Sequence, residues 1–174
     1  ISLKEMDRAA LLRRTDTKFL IHKKDLISVL EEIKNNYKVL EINKDRVTTY
    51  NSLYFDTKTK KFYHDHHNGK INRIKIRMRK YVESNRCFLE IKQRHGFRRT
   101  NKSRLAISDF ETIPSETSTD FIRKTTLKDY DLLPVIWTKF NRITLVNRIG
   151  KERVTIDLNL SFYNKDSSVS FENI

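Results

Sequence analysis

Residues 72–81, NRIKIRMRKY, alternate between two kinds of side chain, with Arg73, Lys75, Arg77 and Arg79 at every second position and Ile74, Ile76 and Met78 between them. An extended strand sends alternate side chains to opposite faces, so the stretch predicts a strand with one apolar and one cationic face. A helix would scatter the same cations around its circumference. The pattern recurs along the chain. In RRTDTKFLIHKK, Arg14, Asp16 and Lys18 share one parity, and Thr17, Phe19 and Ile21 the other. In CFLEIKQR, Cys87, Leu89 and Ile91 oppose Glu90, Lys92 and Arg94; after an HGF turn, Lys102 and Arg104 alternate with Ser103 and Leu105. KFNRITLV sets Arg142 and Thr144 against Ile143 and Leu145. ERVTIDLNL sets Arg153, Thr155, Asp157 and Asn159 against Val154, Ile156, Leu158 and Leu160. Residues 45–56, DRVTTYNSLYFD, are rich in β-branched and aromatic types and also read as a strand.

Helical spacing is confined to fewer places. Ala9, Ala10, Leu11 and Leu12 suggest a short leading helix. Leu26, Val29, Leu30 and Ile33 define an apolar helix side for packing onto a sheet, with Asp25 placed to cap. KTKKFYHDHHNGK reads as a polar loop ending in the Asn68-Gly69 turn. His64, His66 and His67 in it lack an acidic or cysteine partner spaced to close a metal site, so they are read as solvated imidazoles. Residues 108–137 show no alternation and read as helices and connections outside the sheet. No repeat of fixed period is evident.

At 174 residues the chain is expected to form a single domain over 1–174. Only three glycines and two prolines argue for regular structure rather than low complexity. The lone Cys87 excludes an internal disulfide and a cysteine-rich metal site, which fits an intracellular, reducing setting. No run reaches membrane-spanning length. A net charge of +14 attracts a polyanion: nucleic acid, an anionic membrane or a phosphate-rich small molecule. The chain starts at Ile1 and stops at Ile174 just after an apolar segment begins, so both ends are expected to be artificial.

Cations along one strand face lie about 6.6 Å apart. Each neighbouring pair repels by roughly 0.6 kcal/mol in water and about 2.5 kcal/mol at an effective dielectric near 20. On an open wet face the row is cheap; inside a concave site it is costly unless an anion is bound. Periodicity leaves both arrangements open, a one-sided antiparallel sheet and a curled barrel with helices on its apolar outside.

TDTKFLI, SLYFDT, IRMRKY, FLEIKQR with KSR downstream, FNR and RVTID, in this order, resemble the VTC-type polyphosphate polymerase domain, a member of the triphosphate tunnel metalloenzyme superfamily alongside the CYTH enzymes. The resemblance runs from about Arg14 to Asp157. It implies an α+β fold, an antiparallel β-barrel with helices outside, incomplete at the C-terminus. It implies phosphate-binding roles for Lys18, Arg77, Arg79, Lys92, Lys102, Arg104, Arg142 and Arg153, with Arg77, Arg79 and Lys92 at the catalytic centre. The activity implied is metal-dependent phosphoryl transfer from nucleoside triphosphate to polyphosphate, with Mg²⁺ or Mn²⁺ as cofactor. Two departures stand out. The superfamily's Glu-x-Glu-x-Lys is here Thr15-Asp16-Thr17-Lys18, and the late strand with a metal-binding glutamate is expected beyond residue 174. Glu90 and Asp157 are the inward carboxylates left to nominate as metal ligands. The partners expected are nucleoside triphosphate and polyphosphate, with no specific nucleic acid, in a cytoplasmic protein for which a membrane-protein partner is the route to a membrane. A triphosphate hydrolase (inorganic, thiamine or RNA 5′-triphosphate) and a non-catalytic polyphosphate or nucleic-acid binder remain alternatives. Nucleic acid would want aromatics among the cations; NRIKIRMRKY offers aliphatics on the opposite face instead.

Overall fold

The computed structural model describes residues 1–2, 16–96, 99–149, 152–164 and 168–171. The strands are β1 (Tyr37–Val39), β2 (Thr48–Thr57), β3 (Arg73–Tyr81), β4 (Arg86–His95), β5 (Arg99–Ile107), β6 (Leu132–Asn147), β7 (Arg153–Tyr163) and β8 (Ser168–Phe171); the helices are α1 (Leu26–Ile33), α2 (Lys61–His67) and α3 (Glu116–Thr126). Every pairing is antiparallel. The order is β5-β4-β3-β2-β6-β7-β8, with β1 on the far end of β6. Among the described residues β5 and β8 remain edges, so the sheet is an open, barrel-like one rather than a closed channel.

The apolar parity of β2, β3 and β4 makes the core. Leu53, Phe55, Ile76, Met78, Leu89 and Ile91 pack with Phe62 of α2 and Ile122 of α3, so both helices cover the apolar face. Leu53, Ile76, Met78 and Leu89 are fully buried, and each contributes roughly 1.5–3 kcal/mol by leaving water. Helix α3 starts where the Ser115 hydroxyl accepts the Ser118 N–H at 3.3 Å.

The local structure departs from the sequence reading in several places. The expected leading helix lies outside the described residues. Residues 16–22 form no strand; Phe19 and Leu20 stand exposed, and a 3-10 turn, Lys23–Asp25, leads into α1. Asp25 adopts a helical backbone itself and its side chain caps nothing, because the turn has already begun before it. The predicted side of α1 is its less exposed one, but none of its residues is buried.

The polar loop at 61–67 is helix α2. The buried Asp56 carboxylate accepts the N–H groups of Phe62 (2.8 Å) and Tyr63 (2.9 Å), so the helix is capped from the end of β2. The helix ends in a Schellman arrangement: Gly69 N–H donates to the His66 carbonyl at 3.2 Å and Lys70 N–H to that of Asp65 at 2.9 Å, with Gly69 at φ 66°. Strand β6 begins at Leu132, inside the stretch expected to lie off the sheet. Pro134 is accommodated beside a register shift, opposite Phe55. Asn159 leaves the face of Arg153, Thr155 and Asp157. At φ 53° it sits where the β6–β7 register shifts, and its amide donates to Asn141 at 3.1 Å. No helix among the described residues is long and apolar enough to cross a membrane.

Candidate functional site

Strand register turns single-strand parity into cross-strand rows. Tyr54, Arg77, Glu90 and Arg104 stand side by side on β2, β3, β4 and β5; Lys75, Lys92 and Lys102 form the next row, and Arg73 faces Arg94 beyond it. On the other side of Arg77 comes the row Ser52, Arg79 and Phe88. Directly opposed side chains have Cβ atoms about 4.5–5.5 Å apart, and like charges so placed are destabilising. On a flat wet sheet this face would be exposed throughout. Instead Ser52, Glu90 and Arg79 are 0%, 2% and 7% exposed, so the cationic face is the concave side of the curl.

Glu90 holds the middle of this groove. Its Oε2 accepts from Arg77 Nε at 2.9 Å and Nη2 at 2.7 Å, while Lys102 Nζ lies 2.6 Å from Oε1. Burial alone would push this carboxyl up, but Arg77 and Lys102 outweigh it and hold it below the usual carboxylate range. Arg77 also donates through Nη1 to the Tyr54 hydroxyl at 2.9 Å. Although burial works against its charge, Tyr54 and Glu90 raise its pKa.

At one end, two arginines share an aromatic pair. The Tyr50 and Phe140 rings stack at 5.1 Å, with Arg79 5.3 and 5.5 Å from their centroids and Arg142 4.9 and 5.0 Å. Arg142 grips Asp157 in a fork, both contacts at 2.6 Å, which offsets its burial and raises its pKa. Arg79 has Ser52 Oγ at 2.9 Å and no ion pair among the described residues; burial and then the neighbouring Arg77 push its pKa down. It is a desolvated cation facing another cation, an arrangement an anion would relieve.

At the other end Lys75 and Lys92 stand side by side, with Arg73 and Arg94 beyond them. Lys75 is pushed down by partial burial and by Lys92, Arg73 and Lys18. Its Nζ lies 3.2 Å from His66 Nε2. Lys18, exposed in the irregular segment before α1, lies near enough for its charge to act on Lys75, although no strand carries it.

The structure therefore brings Arg77, Arg79, Lys92, Lys102 and Arg142 onto one face, while Lys18 acts as a charge near its Lys75 end. Arg104 is exposed and leans on Phe88 at 5.0 Å. Arg153 is exposed on β7, about 13 Å along the strand from Asp157. Glu90 and Asp157 belong to separate ion pairs, and no group of three His, Cys, Asp or Glu side chains able to hold a metal occurs among the described residues. Cys87 is buried on the apolar side and its thiol is pushed up to about 11, which makes it unreactive.

Sequence reading did not single out Ser52, Tyr50, Tyr54 and Phe140, and it read His66 as a solvated imidazole of a polar loop, whereas its ring meets Lys75 at the edge of this face. Tyr50, Ser52 and Tyr54 alternate in one strand, and Phe140 shares parity with Arg142, so a period-2 reading of β2 and β6 would have found them. Aromatics do reach the cationic face, from strands flanking β3. Tyr54, Tyr50, Phe140 and Phe88 each lie under a guanidinium already and offer no open stacking platform.

No curated protein matches the sequence. A family model described as the VTC domain matches residues 13–173, a span that contains every strand and helix described above. The chain accordingly belongs to the VTC domain family, whose members are associated with polyphosphate.

Proposed function

We propose that the groove binds the phosphates of a nucleoside triphosphate and of polyphosphate, and that the domain passes the terminal phosphoryl group to the end of a polyphosphate chain. The observation that carries this reading is the convergence of Arg77, Arg79, Lys92, Lys102 and Arg142, from four strands, on one sheet face, with Glu90 between Arg77 and Lys102 and Asp157 beside Arg142.

Arginine forks suit paired phosphate oxygens, and lysines act as mobile point charges. The transition state of phosphoryl transfer spreads negative charge over the equatorial oxygens, so positioning and charge stabilisation supply most of the acceleration. A terminal oxygen of the acceptor chain attacks the γ-phosphorus. A new P–O–P linkage forms as the bond to the β-phosphate oxygen breaks, and nucleoside diphosphate leaves. No protein nucleophile takes part. Arg77, tied to Glu90 and Tyr54, and Arg79, fixed by Ser52 and two rings, are held in place before the ligand arrives. Lys102 exchanges Glu90 for a phosphate oxygen.

Glu90 and Asp157 do not form a carboxylate pair for a divalent cation, since each is engaged by cations of its own. Mg²⁺ or Mn²⁺ would enter coordinated by the oxygens of the phosphate ligand. The aromatics Tyr50, Tyr54, Phe88 and Phe140 of this face are each already covered by a guanidinium, which favours phosphate chains over single-stranded nucleic acid.

Incubation with ATP and Mn²⁺, followed by gel and phosphate analysis, tests the reading. Chains that lengthen with time, and fail to do so in Arg77→Ala, support it. Free phosphate alone would make water the acceptor and the domain a hydrolase.

A further inference from the structure

His66 and Lys75 were the residues of this face with least to recommend them in the sequence, and the fold places them together. His66 lies on the last turn of α2, and its Nε2 is 3.2 Å from Lys75 Nζ at the cationic end of the groove. Arg73 of β3, Lys92 of β4 and Lys18 of the segment before α1 all act on both as like charges. The neighbouring carboxylate on α2, Asp65, is committed elsewhere, to Lys61 at 2.5 Å and Lys70 at 2.6 Å. His67 is stacked on Tyr63. No carboxylate contacts Lys75, Lys92 or His66 among the described residues.

Such a cluster is costly when empty. Lys75 and Lys92 are direct cross-strand neighbours, and His66 accepts the Lys75 proton contact only while its ring is neutral. Partial desolvation, then Lys75, Arg73, Lys18 and Lys92, hold the imidazole below its usual range, so the empty site keeps it neutral at physiological pH. The cationic row from Arg73 to Arg79 is about 20 Å long, longer than a triphosphate.

We infer that His66, Lys75 and Arg73 extend the groove beyond Lys92 into a further phosphate subsite, near the charge of Lys18, that a chain longer than triphosphate occupies, and that filling it protonates His66. This rests on the proposed phosphate-binding groove and adds to it a chain-length preference. A phosphate there replaces like-charge repulsion by attraction; His66 gains a proton at Nε2 and turns from acceptor of Lys75 into donor to a phosphate oxygen. Long-chain binding therefore takes up a proton, and triphosphate seated around Arg77 and Arg79 does not.

Competition titrations with inorganic triphosphate and with long-chain polyphosphate test this on the whole chain, for wild type, His66→Gln and Lys75→Ala, between pH 5.5 and 8. Wild type should favour the long chain, by a margin that widens as pH falls; a binding-linked rise of one unit in the His66 pKa is worth about tenfold. His66→Gln should remove the protein's share of that pH dependence, leaving the titration of the chain ends. Lys75→Ala should weaken long-chain binding about tenfold. Triphosphate affinity should be nearly unchanged in both. Equal loss of both ligands, or no loss of either, overturns the subsite while leaving the groove intact. If triphosphate itself binds no better to wild type than to Arg77→Ala, the groove and the subsite both fall.

Discussion

Replacing Glu90 by glutamine keeps the shape of the side chain and removes the one negative charge between Arg77 and Lys102. The carboxylate is 2% exposed, receives two hydrogen bonds from Arg77 and lies 2.6 Å from Lys102. Removing one partner of a buried ion pair costs about 3–5 kcal/mol. The Arg77 and Lys102 side chains are 23% and 47% exposed, so water softens the loss and the lower end, about 3 kcal/mol, applies. For a domain of this size that lowers Tm by about 6–12 °C. The ligand sees the opposite effect. A carboxylate about 6 Å from a bound phosphate repels it by roughly 2–3 kcal/mol at an effective dielectric near 20. Glu90→Gln should therefore bind triphosphate one to two orders of magnitude more tightly, and added triphosphate should raise its Tm more than that of wild type. Differential scanning fluorimetry with a triphosphate series, matched in ionic strength with chloride, reads both quantities. A variant as stable as wild type, or one whose triphosphate shift is no larger, would refute Glu90 as the groove's internal counterion.

The same carboxylate sets a pH dependence. Because its folded pKa is depressed, its contribution is complete above the ordinary glutamate value of about 4.3 and lost as pH falls through the folded value, so the Tm gap between wild type and Glu90→Gln should narrow below about pH 4. Arg79→Lys gives up the bond to Ser52 and the planar contact with Tyr50 and Phe140, and triphosphate affinity by calorimetry should fall about tenfold; unchanged affinity would place Arg79 outside the ligand's reach. Asp56→Ala strips the cap from α2 and should cost about 2 kcal/mol of stability in urea unfolding. Its triphosphate affinity should stay within a few-fold of wild type, since Asp56 faces the helix and not the ligand.

The strands and their cationic face were legible because a period of two is a local signal that each segment carries by itself. Arg77, Arg79, Lys92 and Lys102 could be assigned to that face one strand at a time. Their partners could not, because Arg77 meets Glu90 and Lys102 meets Glu90 only once β3, β4 and β5 are in register. Helix α2 was hidden for a related reason: its cap comes from Asp56 on the preceding strand, and Phe62 is its one buried apolar residue. The bulge that turns Asn159 away from Asp157 is likewise a property of the β6–β7 pair rather than of ERVTIDLNL. Sheet closure was the expectation furthest from local evidence, and the described sheet is curled but open.

The most direct test of the central claim is a crystal structure of the domain with inorganic triphosphate bound. The account predicts one triphosphate in the concave face, with oxygens within hydrogen-bond reach of Arg77, Arg79 and Lys92, and Lys102 turned from Glu90 toward the ligand. Triphosphate found only on the convex side or at scattered surface lysines, with Glu90 still holding Lys102, would contradict it.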